Sequence, residues 1–486
     1  MTTVTAARAS KSILSRPHYK KARISTDLPA LSEVFAVRRL PSILGGNEAK
    51  AEAGRFSCWA AEPREVFEFY AGQKDPFGKL QKVLDKYRLV EDFEDDLPKG
   101  IFCGGWIGYF SYDLGRYIEP TAFGKSGAVT DDLGMPLIRL CFYDRLIAYD
   151  HIEKTFWLIA LEMPDDVERP EEKLAGLERL LAESQKVHIR QPMSADIEGM
   201  DFQQIRSNMD KNYYLRAVEK IKRHICDGDV YQINFSQRFE CDFDARPIEL
   251  YNWQNYYNPS GYAAYIDAGK FHIVSASPEM FITIQDGFIK TKPIKGTRPR
   301  LTEQGEGKRI NAKNFDELLS SEKEQAELNM IIDLERNDVA RICRPGTRAV
   351  IQPRTIEAYP TIFHAVATVG GQLREDVTFC DVLDAMFPGG SITGAPKIRA
   401  MEIINRLEPT VRGVYTGSIG FIGLNGSPLE AGLNIAIRTI IITAGRAFVQ
   451  TGGGIVADSD PQAEWDETLT KARALLAGIN SVQRGA

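Results

Sequence analysis

Three apolar runs, YQINFSQRFEC (231–241), GYAAYIDAGKFHIVSASPE (261–279) and FITIQDGFIKTKPI (281–294), succeed one another with the β-branched and aromatic content of strands. The last is punctuated by Asp286-Gly287, a dipeptide suited to the positive-φ positions of a tight hairpin turn. GSIGFIGL (417–424) and GLNIAIRTIIITAGRAFVQTGGGIV (432–456) repeat the pattern further on. Strands that arrive in hairpin-like groups, with helices between the groups, argue against a doubly wound sheet, which needs strict strand–helix–strand alternation. The sequence therefore predicts an α+β fold: a large two-sheet, mainly antiparallel β-sandwich flanked by helices.

The chain divides into parts of one architecture. Residues 1–25, basic and Ser-rich, are expected to be a disordered tail and lack the apolar core of a signal peptide. Residues 26–190 are expected to form an N-terminal α/β part of the sandwich. They carry short strand-like runs such as CGGWIGYFSYD and a helix whose Leu174, Leu177, Leu180 and Leu181 recur at helical spacing. The polar stretch QPMSADIEGMDFQQ (191–204) reads as a linker, and residues 200–482 as the catalytic part.

Composition narrows the partners. The 486 residues are 43% hydrophobic and 26% charged, an ordinary globular balance. A net charge of −6 leaves no basic excess to release phosphate counterions, so no nucleic acid partner is expected. No run reaches the roughly 18 apolar residues of a membrane span. Seven scattered cysteines without a C-x-x-C pair are expected to be reduced thiols, forming neither a disulfide frame nor a zinc site. A cytoplasmic location is the expectation.

Chemistry concentrates in a few places. In TKPIKGTRPR (291–300), Lys295 stands between Ile294 and Gly296. Taken alone the stretch is either a solvated basic loop or a lysine presented at a strand lip. Residues 318–336, LLSSEKEQAELNMIIDLER, predict a helix with Glu324 and Glu327 on one face, three residues apart. Ser321 and Glu324 have capping-box spacing, whereas Glu327 shares a stripe with Met330, Ile331 and Leu334. A closing helix is predicted from Pro461, N-capped by Asp460, with Glu464 and Glu467 again three apart and Lys471 four beyond. Two such pairs could clamp one Mg²⁺, an ion usually held by one or two protein carboxylates.

FPGGSITGAPK places Gly389, Gly390, Thr393 and Gly394 before a helix, but Ala395 stands where a phosphate loop needs its lysine. Gly452, Gly453 and Gly454 follow a strand, as a plain tight turn or as amides approachable by a carboxylate. Arg438, within apolar GLNIAIRTIII, requires a carboxylate from protein or ligand. His364 fits a core position, and Glu279, after Pro278, fits either a turn or an acid.

Together PIKGTRPR, DLERNDVARICRPGT, FPGGSITGAPK, YTGSIGFIG, NIAIRT and TGGGIVADSDPQAEWDET resemble the chorismate-utilising enzyme family, which includes anthranilate, aminodeoxychorismate and isochorismate synthases. CGGWIGYFSYDLGRYIE resembles its N-terminal half more loosely. The resemblance implies an anthranilate synthase component I-like fold, with chorismate bound by residues 200–482. It implies Mg²⁺ on Glu327 and Glu467, with Glu324 and Glu464 beside them. Tyr415, Arg438, Lys471, Gly452 and Gly454 would cradle the substrate carboxylates. Gly296, Thr297, His364 and Thr393 would line the ring site, and Glu279 would be the general acid.

Position 295 separates the members. Those similar to anthranilate synthase have alanine, as PIAGT, and those similar to aminodeoxychorismate synthase have lysine, as PIKGT here. The resemblance implies that Lys295 adds to the chorismate ring as a nucleophile during amination at C4. Anthranilate formation and isochorismate formation are the alternative activities. No glutaminase nucleophile elbow is evident, so ammonia is expected from a separate glutamine amidotransferase subunit.

Overall fold

The computed structural model describes residues 12–46, 54–90, 96–124, 129–195, 205–301, 303, 305–359, 362–424 and 429–485. Two sheets, of 13 and 10 strands, stack as a sandwich. Among the named strand pairs only Ile13–Ala22 with Tyr87–Leu89 is parallel. The Asp286-Gly287 turn forms as expected, with φ of 51° and 69°.

The two halves of the chain complete each other's sheets. Ser42–Leu44 pairs with Tyr262–Asp267 in the larger sheet, and Gly105–Phe110 pairs with Ser418–Gly423 in the smaller one. Strand periodicity explains the layers. Ile107 and Tyr109 face the other sheet, where Tyr109 packs with Ile266, Ile273, Ile441 and Phe448. Trp106 and Phe110 face the opposite way, into a second core that includes the helix Phe379–Met386. Both faces are covered, so the strand is buried throughout, and each such side chain contributes roughly 1.5–3 kcal/mol. Helices Leu28–Ala36, Pro170–Ser184, Pro247–Tyr257 and Pro461–Gly485 cover the larger sheet's outer face.

The structure corrects the expected tail. Residues 1–11 lie outside the described residues, but Ile13–Ala22 is a strand, paired antiparallel with Thr155–Glu162. Ser15 and Pro17 are buried and Leu14 and Arg16 exposed, the alternation of a strand; Tyr19 packs against Trp157 at 6.0 Å between ring centroids. Of the basic residues that suggested a tail, Arg16 and Lys20 share the outer face, where Lys20 pairs with Glu178, whereas Lys21 lies over the Trp157 ring. The linker is anchored at its start: the Met193 carbonyl accepts from Trp253 Nε1 and Ser481 Oγ.

Candidate active site

A cavity of about 830 Å³ opens where the strand Ile294–Pro299 and the helices Glu322–Ala340 and Pro461–Gly485 meet the strands Gln232–Asp242 and Arg446–Ile455. Except for Thr393, every residue assigned to the site from the sequence lines it. Thr393 is fully buried, and its hydroxyl donates back to the Gly389 and Gly390 carbonyls at 3.0 and 3.3 Å. It locks its own turn, and Ser391 reaches the cavity instead.

The Gly452–Gly454 run corrects the tight-turn reading. It continues the strand Arg446–Ile455, in register with Asn234–Ser236. Side chains there would crowd both neighbours: a Cβ on Gly453 would stand 2.9 Å from Glu464 Oε2 of the closing helix, and one on Gly452 2.6 Å from the Phe235 carbonyl of the paired strand. Glycine thus lets helix and strand close directly around the cavity.

Lys295 points inward. Its Nζ lies 3.5 Å from where a Cβ on Gly454 would be. Burial pulls its pKa down, as does the charge of Lys471, while Glu327, Glu279 and Glu467 pull it up. Across the cavity Glu279 is 4% exposed, and its Oε1 accepts from Ser391 Oγ at 2.7 Å and Ile294 N at 3.4 Å. Burial pushes this carboxyl up to about 7, against the Ser391 hydrogen bond, the Lys295 charge and the Ile294 amide.

The helix expected over 318–336 is two helices, Glu306–Ser320 and Glu322–Ala340, broken at Ser321. Ser321 caps the second, accepting from Glu324 N at 3.3 Å. The Glu324 carboxylate takes Arg298 Nη1 at 2.8 Å, while its Oε2 is buried with no hydrogen-bond partner. Burial pushes Glu327 up, opposed by Lys295 and Lys323 and reinforced by Glu324 and Asp458. Glu464 accepts from Ser459 Oγ at 2.6 Å; burial and the Glu467 charge push it up. Lys471 bridges Glu467 at 2.7 Å and the Gly452 carbonyl at 2.8 Å.

Among the described residues no group of three or more His, Cys, Asp or Glu forms a metal cluster. The donor set nonetheless suits a hard divalent cation: oxygen ligands only, an orphaned buried oxygen on Glu324, and carboxylates that repel one another.

Arg438 sits at φ +49° with its guanidinium at the cavity wall. Among the described residues no carboxylate lies within ion-pairing distance, and burial alone pulls its pKa down. Thr297 Oγ1 and His364 Nδ1 are 2.9 Å apart on paired strands, and the core-like histidine lines the cavity beside its neighbour's hydroxyl. Sequence reasoning missed Asn234, Arg298, Ser391 and Gln450. Asn234 was findable, because it lies between Ile233 and Phe235, on the strand face opposite those core residues.

A guanidinium with no carboxylate partner among the described residues, paired carboxylates and an inward amine, set on a two-sheet sandwich, suit an enzyme site for a small polycarboxylate. A profile described as chorismate binding enzyme matches residues 46–477, and the chain belongs to that family. It is 40% identical over 413 residues to an anthranilate synthase component 1 from Pseudomonas putida, covering 84% of this chain and 80% of the relative. It is also 40% identical over 379 residues to an aminodeoxychorismate synthase component 1 from Bacillus subtilis (strain 168), covering 78% and 77%. The crystal structure of anthranilate synthase component I from Streptococcus pneumoniae TIGR4 superposes with a TM-score of 0.73 at 30% identity, covering 88% of this chain and 93% of that one. The α+β sandwich expected from the hairpin grouping is thus shown. No helix among the described residues is long and apolar enough to cross a membrane.

Proposed function

We propose that this chain aminates chorismate at C4 with ammonia in a Mg²⁺-dependent reaction, giving 4-amino-4-deoxychorismate, as an aminodeoxychorismate synthase component I on the route to p-aminobenzoate and folate. The observation that carries this reading is the amine of Lys295 inside the cavity, facing Glu279 and the two acidic helices. Overall likeness does not choose between the activities, since relatives of either name reach 40% identity.

The residues suit two successive substitutions. Lys295 attacks C2 as the neutral amine, a form favoured by its lowered pKa. Both ring double bonds shift, and the C4–O bond breaks. Hydroxide leaves poorly, so Glu279, protonated near neutrality, gives its proton and water departs. Ammonia then bonds at C4, both double bonds shift back, and the C2–N bond to Lys295 breaks with its electron pair returning to the amine. The extra proton of the added nitrogen passes to the Glu279 carboxylate. Arg438, Tyr415, Lys471 and the backbone of Gly452 and Gly454 hold the substrate carboxylates, while Gly296, Thr297 and His364 face the ring. Mg²⁺ on Glu327 and Glu467, with Glu324 and Glu464 beside them, would supply a Lewis acid and template for a carboxylate.

The relatives are named as a first component, which supports a second component for this chain too. We assign that role to a separate glutamine amidotransferase that delivers ammonia. The second reading, anthranilate formation, is favoured by the name most of the relatives carry.

One assay separates the two. Chorismate, Mg²⁺ and an ammonium salt are incubated with the chain, with and without an added lyase. The expected result is p-aminobenzoate only when lyase is present. Directly fluorescent anthranilate from the parent chain would establish the second reading. Lys295→Ala should slow formation of the 4-amino product at least about 100-fold and abolish any covalent adduct. Formation at the parent rate would remove Lys295 as the nucleophile.

A further inference from the structure

Among the described residues the Glu279 carboxyl receives both of its hydrogen bonds on one oxygen, from Ser391 Oγ and Ile294 N. A serine hydroxyl has a single proton, and here it is committed to Oε1. An oxygen facing two donors is a poor place for a proton, because O–H and N–H would collide head-on. Oε2 is the oxygen left to carry it.

Ser391 is itself braced from behind. It belongs to the turn Gly390–Ile392, and Gly390 N donates to Glu335 Oε1 at 3.3 Å. The turn lies so close to the helix Glu322–Ala340 that a Cβ on Gly390 would stand 2.3 Å from Leu334 Cδ2. Glu335 is 3% exposed. One helical turn on, Asp338 takes Lys397 Nζ at 2.5 Å, and that ammonium also donates to the Met386 carbonyl at 3.2 Å. The brace therefore ties the helix to both flanks of the turn. The charged or titratable groups facing Glu279 are Lys295, from the strand Ile294–Pro299, and Glu335, from the helix.

The geometry points to Ser391 as a positioning residue that fixes the proton of Glu279 on Oε2, with Glu335 as the buried brace that holds Ser391 in place. The inference rests on the reading of Glu279 as the acid.

The test compares Ser391→Ala, Ser391→Thr, Glu335→Gln and Glu335→Leu in the Mg²⁺-loaded chain. Chorismate consumption is followed whatever the product, and the Glu279 carboxyl is titrated by ¹³C NMR without substrate. Ser391→Ala should lower kcat about tenfold or more with KM little changed. It should also move the Glu279 titration, and the alkaline limb of the pH profile, upward, because a donor that favours the carboxylate is gone. Ser391→Thr keeps a hydroxyl and should restore both. Glu335→Gln keeps an acceptor for Gly390 N and should behave as the parent, whereas Glu335→Leu should follow Ser391→Ala. An unmoved Glu279 titration in Ser391→Ala, with or without loss of activity, overturns the proposal. The titration needs no turnover, so it decides this point even if the assigned product is wrong.

Discussion

The Nζ of Lys295 lies 3.5 Å from the point where a Cβ on Gly454 would stand, and that same point is 2.2 Å from Gln232 Nε2. The lysine is seated against bare backbone. Gly454→Ala should force the Gln232 amide aside and set a methyl against the amine, lowering kcat/KM for chorismate at least about tenfold, since small misplacements of reacting groups are expensive. The melting temperature should stay near the parent's. Parent-like kinetics would show that the amine does not work from this seat.

Arg438 has no carboxylate partner among the described residues, and burial disfavours its charge. Removing it trades binding for stability. Arg438→Gln should raise KM for chorismate roughly 10- to 100-fold, the loss of a charge-assisted hydrogen bond of about 1.5–3 kcal/mol. The melting temperature of the free chain should hold or rise. A clear drop in melting temperature with KM intact would mean that the guanidinium serves the fold.

Mg²⁺ binding has a readout apart from turnover. The carboxylates of Glu327 and Glu464 are pushed up by burial and by their neighbours' charge, so a bound cation relieves repulsion in the folded state. Millimolar Mg²⁺ should raise the parent's melting temperature, as any ligand specific to the native state does. Glu327→Gln and Glu467→Gln should each shrink that rise. An equal rise in all three proteins would place the ion elsewhere.

The Glu279 carboxyl, pushed up to about 7, sets a pH dependence. It is protonated and competent as an acid below that value, so kcat should decline as pH rises through 7. The linkage has the same sign: a carboxyl whose folded pKa exceeds its unfolded value, about 4.3, contributes stability that is complete below the unfolded value. That stability is lost as pH rises through 7. Glu279→Gln should remove most activity and flatten the decline in melting temperature between pH 5 and 8.5. An unchanged decline would assign it to other groups.

Much of this was legible in the chain. The acidic pairs sit on helices where a spacing of three puts both carboxylates on one face, and Asp460 caps the second helix as its position suggested, accepting from Ala463 N at 2.8 Å. Ser391 and Thr393 were not separable, because both are hydroxyl residues within one Gly-rich turn. Only the direction of that turn sends Ser391 to Glu279 and folds Thr393 back on Gly389. The strand Ile13–Ala22 was hidden because its cations dominate the composition, while its alternation is carried by Ser15 and Pro17, which are weak hydrophobic signals. The triple glycine read as a turn because glycine is the commonest turn residue; here it clears space for a helix lying on a strand.

The sequence by itself determined the local periods, the residue types and hence the family of chemistry: strands in hairpin groups, two acidic helices, a lysine before glycine. Those depend on contacts a few residues apart, which a linear pattern encodes. The tertiary structure decided which segments meet, from strand 232–242 to helix 461–485, and so which charges find partners. Glu324 found Arg298, Arg438 found no carboxylate among the described residues, and the lysine was drawn in beside Gly454. Electrostatic environment is a property of packing between distant segments, and no stretch of the chain carries it alone.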